Sequence, residues 1–173
     1  MTDARSPLTA RLTDITHLPV DAIVNAANES LAPGGGVCGA IHAAAGPNLA
    51  TACEAQAPCP AGDARITPGF DLPARHVIHA VGPRWHGGHH AEAKSLASAY
   101  RAAFALARTH GVKNIAFPAI STGIFGYPLQ PATAIAVHEA RAAIERGDVE
   151  QVTFACFSNE VLEAYMREGA ATV

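Results

Sequence analysis

Basic residues are scarce and scattered in this 173-residue sequence: ten arginines and two lysines, with no run among them, stand against fifteen acidic residues. That balance excludes a surface built to track a polyanion such as duplex nucleic acid. Cysteine is equally sparse, at positions 38, 53, 59 and 156. No C-x-x-C pair occurs, and four thiols in a chain this long are too few for a disulfide scaffold, so reduced cytosolic thiols are expected. No window of eighteen apolar residues is free of a charge or turn signal, which excludes a membrane span. MTDARSPLTARLTD carries charges where a secretory leader needs an apolar stretch, and a cytoplasmic location is expected. Repeats, low-complexity tracts and linkers are also missing. One domain over residues 1–173 is therefore expected, with only the first ten residues loose.

What the sequence has in abundance is alanine, 38 residues, within a composition that is 49% hydrophobic and 16% charged. That describes a closely packed core and not a disordered chain. Short apolar runs at 22–28, 64–67, 76–82, 114–121 and 151–158 read as buried strands. Three alanine-rich segments between them, residues 39–55, 91–111 and 131–147, have helical spacing. The last two stop at Gly111 and Gly147, where a left-handed C′ residue is expected. Strands alternating with helices imply crossover connections, so the class is α/β, with a largely parallel sheet covered by helices on both faces. In open sheets of this kind ligands lie beyond the carboxyl ends of the strands, and the residues following each strand are the ones to read.

Three such places stand out. Behind the run at 22–28, Gly34, Gly35 and Gly36 precede a helix, where backbone N–H groups can approach an anion unobstructed and the helix terminus favours negative charge. The loop is neither a Walker sequence nor a G-x-G-x-x-G fingerprint; it is either a phosphate cradle or a flexible turn. After the run at 114–121, Ser121, Thr122 and Gly123 offer hydroxyl and amide donors to a second phosphate, and Gly126 permits a tight turn. Ile124 and Phe125 in that loop either wall a sugar or base, or tuck into the core. Phe157, at the end of FACFS, either stacks on a base or belongs to the core. Asp14, in LTDITHL, needs a donor, which is either a helix N-terminus or an amino group of a bound base. WHGGHH, with three histidines in five residues, reads as a glycine-rich surface turn, and His42 and His79 read as hydrogen-bonded core histidines; no metal is expected.

In order, DITHLPVDAIVNAAN, GGGVCGAIHAAAGP, GDARITPGFDLPARHVIHAVGP, FPAISTGIFGYP and FACFS resemble the macro domain family, specifically its MacroD-type branch of ADP-ribose-processing enzymes, from about Asp14 to about Tyr165. The resemblance implies a three-layer α/β/α fold with a central mixed, mostly parallel sheet and a deep cleft for ADP-ribose. It implies that Asp14 accepts from the adenine amino group with Ile15 beside the ring and Phe157 nearby. Gly34, Gly35, Gly36 and Val37 would hold one phosphate, and Ser121 to Phe125 the other. Asn28 would hold the terminal ribose, with Asn25 just before it supporting the loop. Two departures accompany it: Thr13 stands where the family has glycine before the acid, and Cys38 where hydrolases of this branch commonly have aspartate. A thiol of ordinary pKa, ~8.5, is mostly neutral at pH 7 and a poor substitute for a carboxylate base. The activity implied is hydrolysis of ADP-ribose esters, on aspartate or glutamate of proteins or in O-acetyl-ADP-ribose, with Asn28, Gly35, Cys38 and Phe125 nearest the chemistry. The alternative is a reader that binds ADP-ribose without turnover. No cofactor is expected, the partners are ADP-ribosylated proteins or small ADP-ribose esters, and a monomer is expected.

Overall fold

The structure, a computed structural model, describes residues 6–173. Seven strands form one mixed sheet: β1 (Leu8–Leu12), β2 (Ala22–Ala26), β3 (Ala64–Pro68), β4 (His76–Ala80), β5 (Asn114–Phe117), β6 (Gln151–Cys156) and β7 (Ala171–Thr172), in the order β3-β4-β2-β5-β6-β1-β7. Only the β3–β4 pairing is antiparallel. The helices are α1 (Gly36–Ala45), α2 (Asn48–Glu54), α3 (Glu92–Thr109), α4 (Leu129–Arg146) and α5 (Asn159–Arg167).

Strict alternation along the central strands sends successive side chains to opposite faces, as the two-residue repeat of a strand requires. Val24, Ile78, Ile115, Phe117, Val152 and Phe154 pack on one face with Tyr100, Phe104 and Tyr165 of α3 and α5 and the alanines of α4. Ile23, Val77, Ala116 and Ala155 point the other way, to Ile41, Leu49 and Cys53 of α1 and α2. Both faces are covered, which makes the protein a three-layer α/β/α structure. The helix ends behave as the glycines foretell: Gly111 and Gly147 have φ of +67° and +79°.

Three expectations are corrected. Residues 8–10 are not loose, because β1 pairs with β6 on one side and β7 on the other and buries Leu8, Thr9 and Ala10; residues 1–5 lie outside the described part. The segment 39–55 is two helices, since Gly46 at φ +86° followed by Pro47 cannot continue α1. The strand-like runs ending at 28, 82, 121 and 158 stop earlier, at Ala26, Ala80, Phe117 and Cys156, which leaves the residues beyond them free to form loops. α5 was not foreseen; Ser158 starts it by accepting from the Val161 amide. No helix among the described residues is long and apolar enough to cross a membrane.

The aromatic centre of the larger core is Phe117, whose ring lies 5.2 Å from Tyr100 and 5.0 Å from Phe104. Phe117→Ala should cost about 3–5 kcal/mol, because a fully buried ring leaves a cavity that rigid neighbours cannot fill. Urea unfolding checks this: a midpoint within error of the parent would show that the site collapses without loss.

Candidate functional site

β4, β2, β5, β6 and β1 run parallel, so their carboxyl ends emerge side by side along one edge of the sheet. The chain leaving each of them contributes to a single cleft of about 990 Å3: Gly82 and Arg84 after β4, Asn28 after β2, Pro118 to Phe125 after β5, Phe157 after β6, and Thr13 to Ile15 after β1. Gly34 to Cys38 close it from the α1 side. Four strand spacings separate the β4 exit from the β1 exit, about 19 Å, long enough for an extended ligand.

The first glycine loop meets the expectation of open backbone. α1 begins at Gly36, φ +57°, with Gly35 as its N-cap and no side-chain cap. Its first amides, which lack intrahelical acceptors, are thereby left for a ligand or water. At Gly35 an added Cβ would meet only Ile124 Cδ1, at 3.6 Å; at Gly39 it would lie 2.5 Å from the Gly34 carbonyl oxygen. Glycine is thus required at 39 to fold the loop back onto the helix, whereas the space at 35 belongs to the cleft. Asn28 braces this loop: its Nδ2 donates to the Ala32 carbonyl at 2.9 Å, and its Oδ1 accepts from Ser30 Oγ and the Ala32 amide.

The second loop is strained. Ser121 adopts φ +68°, a left-handed conformation costing a non-glycine residue about 1–2 kcal/mol. Its buried hydroxyl has no partner among the described residues. Gly82 is the reason it fits, because a Cβ there would fall 2.1 Å from Ser121 Oγ. Such an outlier at a ligand-sized cleft marks a place where geometry serves something other than stability. The Thr122 hydroxyl donates to the Ala119 carbonyl at 2.7 Å, so contrary to expectation it offers no free donor. Gly126, at φ +74°, closes the turn by donating to the Gly123 carbonyl and does not line the cleft.

The aromatic alternatives resolve. Phe157 and Ile124 are each 82% exposed at the cleft mouth, which removes both from the core. Phe125 lines the cleft with the Arg84 guanidinium 4.4 Å above its ring. Asp14 does two things. Its Oδ1 caps the short 3-10 turn Ile15–His17 through the Thr16 amide and hydroxyl, and the carboxylate also faces the cleft. The Thr16 hydrogen bonds hold its pKa below the usual carboxylate value.

Of the sixteen residues expected at the site, fourteen line this cleft; Asn25 joins Gly126 outside it. Asn25 lies on β2 facing α1, where Nδ2 is 3.1 Å from His79 Nδ1 and 3.7 Å from Cys38 Sγ. Cys38 in turn donates to the Ala32 carbonyl at 3.6 Å. His79 Nε2 meets Thr67 Oγ1 at 3.0 Å, so the floor of the first loop is a buried chain of polar groups. His42 departs from expectation: it is buried without a hydrogen-bond partner for either ring nitrogen. The WHGGHH turn is organised by Glu92, whose carboxylate accepts from the amides of His86, Gly88 and His90. Sequence reasoning missed Leu12 and Arg84. Arg84 could have been found by the rule that located the others, since it follows β4.

The macro domain sequence profile matches residues 24–136. A macro domain-containing protein of Chlorobaculum tepidum is 56% identical over 160 residues, covering 91% of this chain and 92% of its own. A Klebsiella pneumoniae protein named O-acetyl-ADP-ribose deacetylase is 53% identical over 161 residues, covering 90% and 92%. Among solved structures, the Trypanosoma brucei macrodomain in complex with ADP-ribose superposes with TM-score 0.88 at 39% identity, over 95% of this chain and 72% of that one. The Oceanobacillus iheyensis macrodomain with ADP gives 0.86 at 41%, over 91% and 86%.

Burial and the neighbouring His42 push the His79 pKa down to about 3, against an unfolded value near 6.5. Its contribution is therefore whole above pH 6.5 and is lost as the pH falls from there toward 3, by up to about 1.4 kcal/mol per unit. The melting temperature should fall between pH 6.5 and 5, before carboxylates titrate, and His79→Gln should flatten that slope. Parallel slopes for parent and variant would remove His79 as its source.

Proposed function

This chain belongs to the macro domain family, and from that premise we propose that it binds ADP-ribose and hydrolyses ester bonds at the terminal ribose, in O-acetyl-ADP-ribose or on ADP-ribosylated aspartate and glutamate. The observation that carries the reading is the pair of amide-rich loops, one opening α1 and one following β5, facing each other across a cleft of matching length. Two sets of backbone donors suit a diphosphate, and such donors need no reorganisation when charge arrives. The carboxylate of Asp14 suits an adenine amino group at the β1 end, with Phe157 exposed beside it. Asn28, two strands away from β6 in the sheet order, then lies at the ribose end.

The reaction proposed is substrate-assisted. Asp14 is the only carboxylate among the residues lining the cleft, and β5 and β6 separate its strand from that of Asn28, a distance of about 14 Å. Among the described residues that line the cleft, none thus brings a carboxylate within reach of a water at the ester. A phosphate oxygen of the bent substrate takes the role of holding and polarising that water, while Asn28 fixes the ribose and Phe125 with Ile124 limits bulk solvent. The water oxygen bonds to the acyl carbon of the ester as the bond from that carbon to the ribose oxygen breaks; one proton of the water passes to the ribose oxygen, which leaves as a hydroxyl, and the acid formed gives the other to solvent and departs as the carboxylate. Cys38 has a structural duty in this scheme, through Asn25 and Ala32. The same shortage of a base favours the second reading, a binder without turnover. Release of ADP-ribose from O-acetyl-ADP-ribose and from a glutamate-linked peptide decides: tight binding of ADP-ribose with no release from either leaves only the binder.

Gly35→Glu should abolish ADP-ribose binding, since a carboxylate would enter the diphosphate space, while stability changes by about 0.5 kcal/mol or less because position 35 is exposed and not left-handed. A calorimetric titration like the parent's would place the diphosphate elsewhere. Cys38→Ala should keep the rate within about tenfold, against the ~10² to 10⁴-fold loss expected when a general base is removed. A dead Cys38→Ala protein that still binds ADP-ribose would give the thiol a direct role.

A further inference from the structure

The cleft is electrically polar along its length. Asp14 stands at the β1 end, and Arg84, the only cation among its lining residues, at the β4 end. Arg84 makes no ion pair or side-chain hydrogen bond to any described residue. It is nonetheless held in place. Its guanidinium lies over the Phe125 ring, and the next residue, Trp85, donates its amide to the Phe125 carbonyl at 2.8 Å and packs its ring 4.7 Å from Tyr127. Beyond it runs the exposed turn of His86, His89 and His90, fixed from below by Glu92. A fixed, exposed and unpaired guanidinium at one end of a cleft is a reading head for planar anions, since its fork of donors matches a carboxylate.

Resting on the proposed orientation of ADP-ribose, with its terminal ribose at the β2–β4 end, we infer that Arg84 selects ADP-ribosylated protein segments in which further aspartate or glutamate residues flank the modified one. Whatever is esterified to the terminal ribose leaves the cleft beside Arg84. A peptide must pass there; a free acetyl ester reaches no further. An acidic peptide is favoured over a nucleic acid as the occupant, because a single arginine on a chain of net charge −3 with two lysines gives no basic track for a backbone.

The test uses three hydrolysis-resistant probes of equal length, each carrying ADP-ribose through an amide: a peptide with acidic flanks, a peptide with neutral flanks, and an oligonucleotide. Free ADP-ribose is titrated alongside, and the readout is the ratio of affinities, so any effect on the ADP-ribose moiety itself cancels. The parent should prefer the acidic peptide over the neutral one by about threefold to fivefold, the range of a well-placed exposed ion pair. Arg84→Gln should bring the ratio to about one, and Arg84→Lys, which keeps the charge but loses the planar fork stacked on Phe125, should retain only part of it. A parent ratio of one, a ratio that survives Arg84→Gln, or an oligonucleotide that outcompetes the acidic peptide in an Arg84-dependent way each overturns the inference. Failure of the parent to bind free ADP-ribose would instead overturn the proposed function on which it rests.

Discussion

Parallel pairing is the constraint on which the rest of the structure depends. Because β4, β2, β5, β6 and β1 share one polarity, five chain exits are forced into a row on one edge, and each must turn away from the sheet in a loop. Helices on both faces fill the space beside those turns, so the row becomes a trench whose floor is strand ends. At the opposite edge the same polarity gathers the strand starts. There Asp21 accepts from the amides of Lys113 and Asn114 and from Arg75, tying the entries of β2, β4 and β5 together. One edge is thus satisfied by the protein itself and the other is left to a ligand.

The trench is tuned by close approach as much as by charge. Gly82 after β4 and Ser121 after β5 belong to loops on either side of the β2 exit, and they touch so tightly that position 82 admits no side chain. That contact over-determines the left-handed backbone at Ser121 and carries the second loop toward the first, where Ile124 reaches Gly35. Strain in one loop and emptiness in the other are therefore complementary parts of one geometry. The resulting opening is lined largely by apolar walls with amide donors at two levels, the usual character of a small-molecule site.

The alternation of apolar runs with alanine-rich helical segments was enough to read the class, because burial on both faces leaves strands without polar interruption. It failed at β1 and α5 for definable reasons. LTARL is short, and its exposed end holds an arginine, so nothing in it distinguishes a strand from a loop; only the pairing with β6 and β7 does. α5 begins immediately after FACFS, so its cap, Ser158, is the last residue of an apolar run and reads as part of the strand. The site was more legible than the elements because the loops carry residues that ordinary turns do not need, such as three successive glycines or Phe157 at a strand end. Asn25 supports the first loop from beneath, as expected, but does not line the cleft with Asn28, because adjacency in sequence does not mean a shared face: Asn25 is on β2 and points beneath α1, whereas Asn28 is past the strand end. Arg84 carries no signal of its own in the sequence, since a lone arginine after Gly-Pro forms no motif; only the row of strand exits gives it a place.

A carboxylate at position 38 would stand among the free amides of α1; a thiol stands there instead, holding Ala32 and held by Asn25. This choice puts a brace where a carboxylate would stand. The lining residues between the two loops carry donors but no carboxylate, so under the proposed function none of them repels a diphosphate that settles there. Burial of the His79 ring, at the far end of the buried chain that runs from Cys38 through Asn25, disfavours its protonation as well. A floor without a carboxylate beneath oriented amides concentrates the attraction for an anion in the backbone, where it costs no side-chain entropy and does not depend on the ionisation of any group. Under the proposed function, binding strength and water activation then respond to the charge state of the substrate more than to that of the protein.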